Sequence, residues 1–165
     1  MAETVHLYLK ANGADIEGES TQLSMGRENS IECLFFESGV ATAREAGSGR
    51  ASGKREHLPL LIRKRIDKST PLLAQAICRN EKIEATFKFF RPNPLGDGTT
   101  EQFFTIKISD ARIASQKFEV PNTIRPATST EPPLETITFN TANITWTFEE
   151  GGIEYEDKWE GMGQL

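Results

Sequence analysis

The sequence predicts a mainly β fold, a small β-barrel or two-sheet sandwich, with one short α-helix near residues 70–80 and a long protruding loop near residues 37–57. Three observations carry that expectation. Apolar and polar residues alternate through segment after segment, the period of a strand with one buried face. One segment alone, "DKSTPLLAQAICRNE", breaks the alternation with apolar residues at helical spacing. Gly, Ser and Pro gather between these segments, where turns are needed.

Taken in order, "VHLYLK" sets Val5, Leu7 and Leu9 against His6, Tyr8 and Lys10. "SIECLFFE" sets Ile31, Cys33 and Phe35 against Glu32, Leu34 and Phe36. In "HLPLLIRKRI", Leu58, Leu60 and Ile62 share a face, and Pro59, lacking an N–H, marks a strand start or an edge. Ile83, Ala85, Phe87 and Phe89 alternate cleanly, as do Phe104, Ile106 and Ile108. "ETITFNTANITWTFEE" and "GGIEYEDKW" close the chain with β-branched and aromatic residues. Gly151-Gly152 and the "PLGDGTT" stretch read as hairpin turns. In the helical segment Thr70 is placed for an N-cap and Pro71 for the first helical residue. Leu72, Leu73, Ala76 and Ile77 then form one apolar stripe, and Asn80 ends it. Residues 121–133 hold four prolines and must be irregular or extended.

With 165 residues, one domain spanning 1–165 is expected. A net charge of −5 gives no global argument for nucleic acid or an anionic membrane. "MAETVHLYLK" lacks the basic and apolar regions of a conventional signal peptide, and no apolar run approaches the roughly 20 residues of a membrane span. His6 and His57 belong to no HExxH motif, and Cys33 and Cys78 to no CxxC, so neither metal nor cofactor is expected. The two thiols read as small buried residues, and His57 reads as a surface histidine.

The stretch "GSGRASGKRE" invites comparison with a phosphate-binding loop. Such a loop needs GxxxxGK followed by Ser or Thr, and then a helix. Here Gly49 and Gly53 enclose three residues, Arg55 follows Lys54, and "EHLPLLIRK" reads as a strand. Every requirement fails. No catalytic constellation stands elsewhere either, because Glu149 and Glu150 are adjacent on a strand pattern and point to opposite faces. Phe87, Phe89, Phe104 and Trp146 read as core.

Charge is distributed unevenly. Residues 44–68 carry eight basic and three acidic residues, whereas residues 149–160 carry six acidic and one basic. Opposite patches suit heterologous contact between copies of one chain, and equally two unrelated solvated faces. On the first reading Arg44, Arg50, Lys54 and Arg55 meet Glu154, Glu156 and Asp157 of a neighbouring subunit or ring.

"RIDKSTPLLAQAI", with Asp67, Lys68, Ser69, Thr70 and Pro71 at the helix start, resembles the haemolysin-coregulated protein (Hcp) family of bacterial type VI secretion. "IEGES" at 16–20, "SGKREHLPLLIRK", "FKFFRP" before "FFTIKISDARIAS", and "ITWTF" agree with the family in order and spacing. The proline content of 121–133 departs from it. The resemblance implies a non-enzymatic tube subunit: hexameric rings that stack, carry small effectors, are driven by a contractile sheath and are capped by a VgrG-type spike. It also implies assembly in the bacterial cytoplasm and export of the folded protein without a signal peptide. The alternative from another class is a monomeric β-sandwich module that binds carbohydrate or peptide through an exposed platform of Tyr155 and Trp159.

Overall fold

Alternating strands with one apolar face must bury that face together, and here they do so by curling one sheet around a common interior. The computed structural model describes residues 3–159. Nine strands run β1 (Thr4–Ala11), β2 (Ala14–Ile16), β3 (Ile31–Cys33), β4 (Phe35–Arg44), β5 (Ala51–Arg65), β6 (Ile83–Pro92), β7 (Thr100–Glu119), β8 (Leu134–Phe148) and β9 (Ile153–Lys158). Among the described residues one α-helix, α1 (Thr70–Cys78), lies between β5 and β6, and a 3-10 turn (Glu150–Gly152) joins β8 to β9. All pairings are antiparallel, in the order β2-β1-β6-β7-β8-β5-β4.

One stretch of chain joins the two ends of that order. β3 pairs with β1 through Val5↔Cys33 and Leu7↔Ile31. The Leu34 N–H then donates to the Arg63 carbonyl at 2.7 Å, and β4 pairs with β5 from Phe35↔Arg63 onward. The sheet is thereby rolled into a barrel rather than split into a sandwich. Its interior holds Leu7, Leu9, Leu60, Ile62, Ala85, Phe87, Ile106, Ile108, Ile137 and Phe139, all buried.

The change of partner at Leu34 corrects the alternation expected there. Past this break the phase shifts by one: Phe36, not Phe35, enters the interior, 5.2 Å from the Phe87 ring and 5.1 Å from Phe89. Phe35 lies outside, beneath the Arg63 guanidinium. A one-residue slip moves every following side chain to the other face. A second irregularity sits at Pro59. The register passes from Glu37↔Leu61 to Gly39↔Leu58, so Pro59 and Leu60 oppose Ser38 alone. This bulge leaves Leu58 51% exposed, in contrast to Leu60 and Ile62 on its expected face.

The stretch 37–57 protrudes, but it is not a loop. β4 and β5 continue past the bulge as a two-stranded ribbon to Arg44↔Ala51, and the chain reverses within Glu45–Arg50, where Gly49 takes φ 71°. Ladder hydrogen bonds join backbone groups and need no apolar side chain, and with most of residues 40–56 exposed no alternation marks the ribbon.

α1 begins one residue earlier than expected. Ser69, not Thr70, flanks it, with the Ser69 carbonyl accepting the Leu73 N–H at 2.9 Å. Leu73 and Ala76 pack down while Leu72 is exposed, so the stripe is narrower than its sequence suggested. Asn80 (φ 51°) takes the left-handed position that ends a helix. Cys33 is buried; Cys78, on the outer side of α1, is exposed, and both are free thiols. Residues 120–133 are irregular, as their prolines require.

Candidate assembly surface

The helix-start motif is a polar joint. Lys64 continues the inward face of Leu60 and Ile62, so its ammonium ends inside the protein with no exposed surface. There Nζ lies 2.9 Å from Asp67 Oδ1 and 3.4 Å from Glu135 Oε2, and it donates to the Arg65 carbonyl at 2.8 Å. Asp67 Oδ1 accepts the Ser69 N–H at 2.9 Å and the Ser69 hydroxyl at 2.5 Å. The Thr70 hydroxyl accepts the Asp67 N–H at 3.1 Å and donates to Glu135. Burial alone would raise the Asp67 carboxyl, but the hydrogen bonds from Ser69 and Lys64 outweigh it and hold the group below its ordinary range.

The second motif docks on the first. Gly18 passes so close to the chain that a Cβ there would meet the Ser30 carbonyl oxygen at 2.8 Å and the Ile31 Cα at 2.9 Å. That passage brings Glu19 to the helix start. Its N–H donates to Asp67 Oδ2, and its Oε2 accepts the Lys68 N–H, each at 3.3 Å. "GES" and "DKST" are therefore two halves of one contact.

The charged residues expected to meet across subunits fall into two groups. Arg55 and Asp157 meet within one chain: Nε to Oδ2 at 2.7 Å and Nη2 to Oδ1 at 2.8 Å, a bidentate pair. The same carboxylate bonds His57 Nε2 at 2.7 Å. Chiefly the Arg55 hydrogen bond, with a further one from His57, keeps the Asp157 carboxyl below its usual range. His57 is consequently no surface histidine. Its ring lies flat on Trp159, centroids 3.6 Å apart and planes 6° apart, and Trp146 stacks further off at 6.2 Å. Trp159 is half-buried with one ring face on His57, and Tyr155, 66% exposed, stacks on Trp146 at 6.2 Å, so the two residues named for the binding-module alternative are engaged with different partners. The second group stays outward. Arg44, Arg50 and Lys54 lie exposed toward the end of the ribbon. Glu154 and Glu156 lie exposed on β9, accepting from Thr147 and pairing with Lys158 respectively.

Among the described residues no group of three or more His, Cys, Asp or Glu side chains could hold a metal ion. No helix there is long and apolar enough to cross a membrane.

Comparison with known proteins meets this geometry. A family model described as "Type VI secretion system effector, Hcp" matches residues 8–148. The chain belongs to the Hcp family. It is 31% identical over 135 residues to the Major exported protein of Pseudomonas aeruginosa, covering 81% of this chain and 77% of that one. Among solved structures it resembles Hcp1 from the E. coli EAEC 042 pathovar, with a TM-score of 0.81 at 29% identity, over 96% of this chain and 99% of that one. Hcp3 from Pseudomonas aeruginosa shares the fold, with a TM-score of 0.75 at 22% identity over 97% and 100% of the two chains. As an Hcp protein, the chain is a component of type VI secretion.

Proposed function

We propose that this Hcp chain is one structural domain over residues 1–165 and acts as a tube subunit: copies close into hexameric rings, and rings stack into a tube that carries small effector proteins outward. The whole-chain likeness to Hcp1 carries the reading, since it covers 96% of this chain. The ribbon beyond the barrel supports it, because the outer edge of β4 offers N–H and C=O groups that no strand among the described residues pairs. The exposed Arg44, Arg50 and Lys54 would then face Glu154 and Glu156 of another copy, while Arg55 and Asp157 are engaged at home. A VgrG-type spike and a contractile sheath are the partners this role requires. Assembly in the cytoplasm precedes export, in keeping with a relative named for being exported. The role is non-enzymatic.

Light scattering on a sizing column tests this. A species near six times the 18.4 kDa subunit supports the ring, and larger species at low salt support charge-assisted stacking. A monomer persisting at high concentration would remove the tube and leave the binding module.

A further inference from the structure

The ribbon beyond the bulge, residues 39–58, has no ladder to the barrel. β5 parts from β8 after Leu60↔Phe139, and β9 takes its place beside β8 from Asn143↔Lys158 to Phe148↔Ile153. At the root of the ribbon the bulge sets Ser38 against Pro59 and Leu60, and Pro59 has no N–H to stiffen it. Beneath lies a cavity of about 150 Å³ lined by Gly39, Val40, Leu58, Thr141, Ile144 and Trp146 among others. An unsupported two-stranded ribbon is marginal in water.

The ribbon's side-chain hydrogen bonds to the barrel converge on one carboxylate. Among the described residues, every side-chain hydrogen bond from residues 39–58 to the rest of the chain ends on Asp157 or on the adjoining Lys158 carbonyl. Asp157 is also the one residue of β9 that is buried, at 8% exposure, while its neighbours on the strand are open. The His57–Trp159 stack closes the same contact from the side.

We propose that Asp157 is a positioning residue: it latches residues 39–58 at a fixed angle to the barrel and so aims the basic end of the ribbon at a neighbouring copy of this chain. The aiming rests on the tube reading above; the latch does not. A ribbon ordered before contact gives up less freedom on assembly, so the latch lowers the concentration at which copies associate.

The test uses the full chain with Asp157→Asn and, separately, Arg55→Gln, the latter changing a half-exposed side chain that the barrel does not need. Amide hydrogen exchange is followed for residues 39–58, with residues 83–90 of β6 as the internal reference. Light scattering at the same concentrations follows assembly. Both variants are expected to exchange about tenfold faster in the ribbon, with β6 unchanged, and to need at least about fivefold more protein to assemble. Unchanged ribbon exchange in both variants would overturn the latch. A loosened ribbon with assembly unchanged or strengthened would overturn the aiming. A parent chain that remains monomeric would overturn the aiming together with the tube reading, whereas ribbon exchange would still decide the latch.

Discussion

Lys64 shows how one buried charge organises a neighbourhood. With Glu135 fully buried beside it, the pair has left water behind, and each charge is tolerable only because the other and its hydrogen bonds remain. Lys64→Ala should cost about 3 kcal/mol or more in urea unfolding, because the Glu135 carboxylate would stay buried without its cation. Lys64→Met combined with Glu135→Met should recover part of that loss, since the fully buried carboxylate leaves with the cation while Asp67 keeps its hydrogen bonds from Ser69. His6 makes the complementary point. Ser30 Oγ donates to the Arg27 carbonyl at 2.7 Å and Ser20 Oγ to the Gln22 carbonyl at 2.9 Å, so His6 Nδ1 must carry the proton shared with Ser30 at 2.9 Å. Nε2 then has no partner among the described residues. Burial, and next the Arg27 charge, push the imidazole from 6.5 down to about 4. The unfolded chain takes up a proton below pH 6.5 that the folded chain refuses until about pH 4, so stability falls as pH drops through that window. Urea midpoints should follow that decline, and His6→Gln should flatten it. A further fall is expected below the ordinary carboxyl value of 3.8, where Asp67 and Asp157, both held low in the fold, become protonated.

At the scale of elements, the ribbon separates what a sequence announces from what it hides. Leu7, Phe87 and Ile106 declare their strands because one side of each is dry. Residues 40–56 declare little, because most of their side chains are wet and the pairing lies in the backbone. The charge of the ribbon was nevertheless legible, and so was the opposite charge of residues 149–160. Hidden was the fact that Arg55 and Asp157, 102 residues apart, satisfy each other inside one subunit. No local pattern distinguishes an intramolecular ion pair from an intermolecular one. For the cations that remain, Arg50→Glu with Lys54→Glu should abolish the larger low-salt species in light scattering while leaving the thermal melt unchanged, because these side chains touch little of their own barrel. The helix tells the reverse story. Its start motif was recognisable as a string of letters, yet its meaning lay in Glu19, from the irregular stretch after β2, and Glu135, from β8. The Gly18 and Asp67 motifs looked independent until the fold set them against each other.

At the scale of the whole molecule, the alternation sufficed to name a β fold but not to choose between a sandwich and a barrel. That choice was made at Leu34, where the strand leaves β1 and joins β5. Nothing in "IECLFFE" signals such a transfer, since each half is an ordinary strand. The order of pairing also sets a timetable for synthesis. β1 waits for β6, whose register with it runs from Ala11↔Ile83 to Thr4↔Phe90, and β5 waits for β8, which starts only at Leu134. A chain still on the ribosome therefore holds its first five strands with their apolar faces unsheathed until its last quarter emerges. Long-range pairings of this kind close slowly and leave strand edges exposed meanwhile. Premature termination of translation would thus release aggregation-prone fragments rather than smaller working proteins.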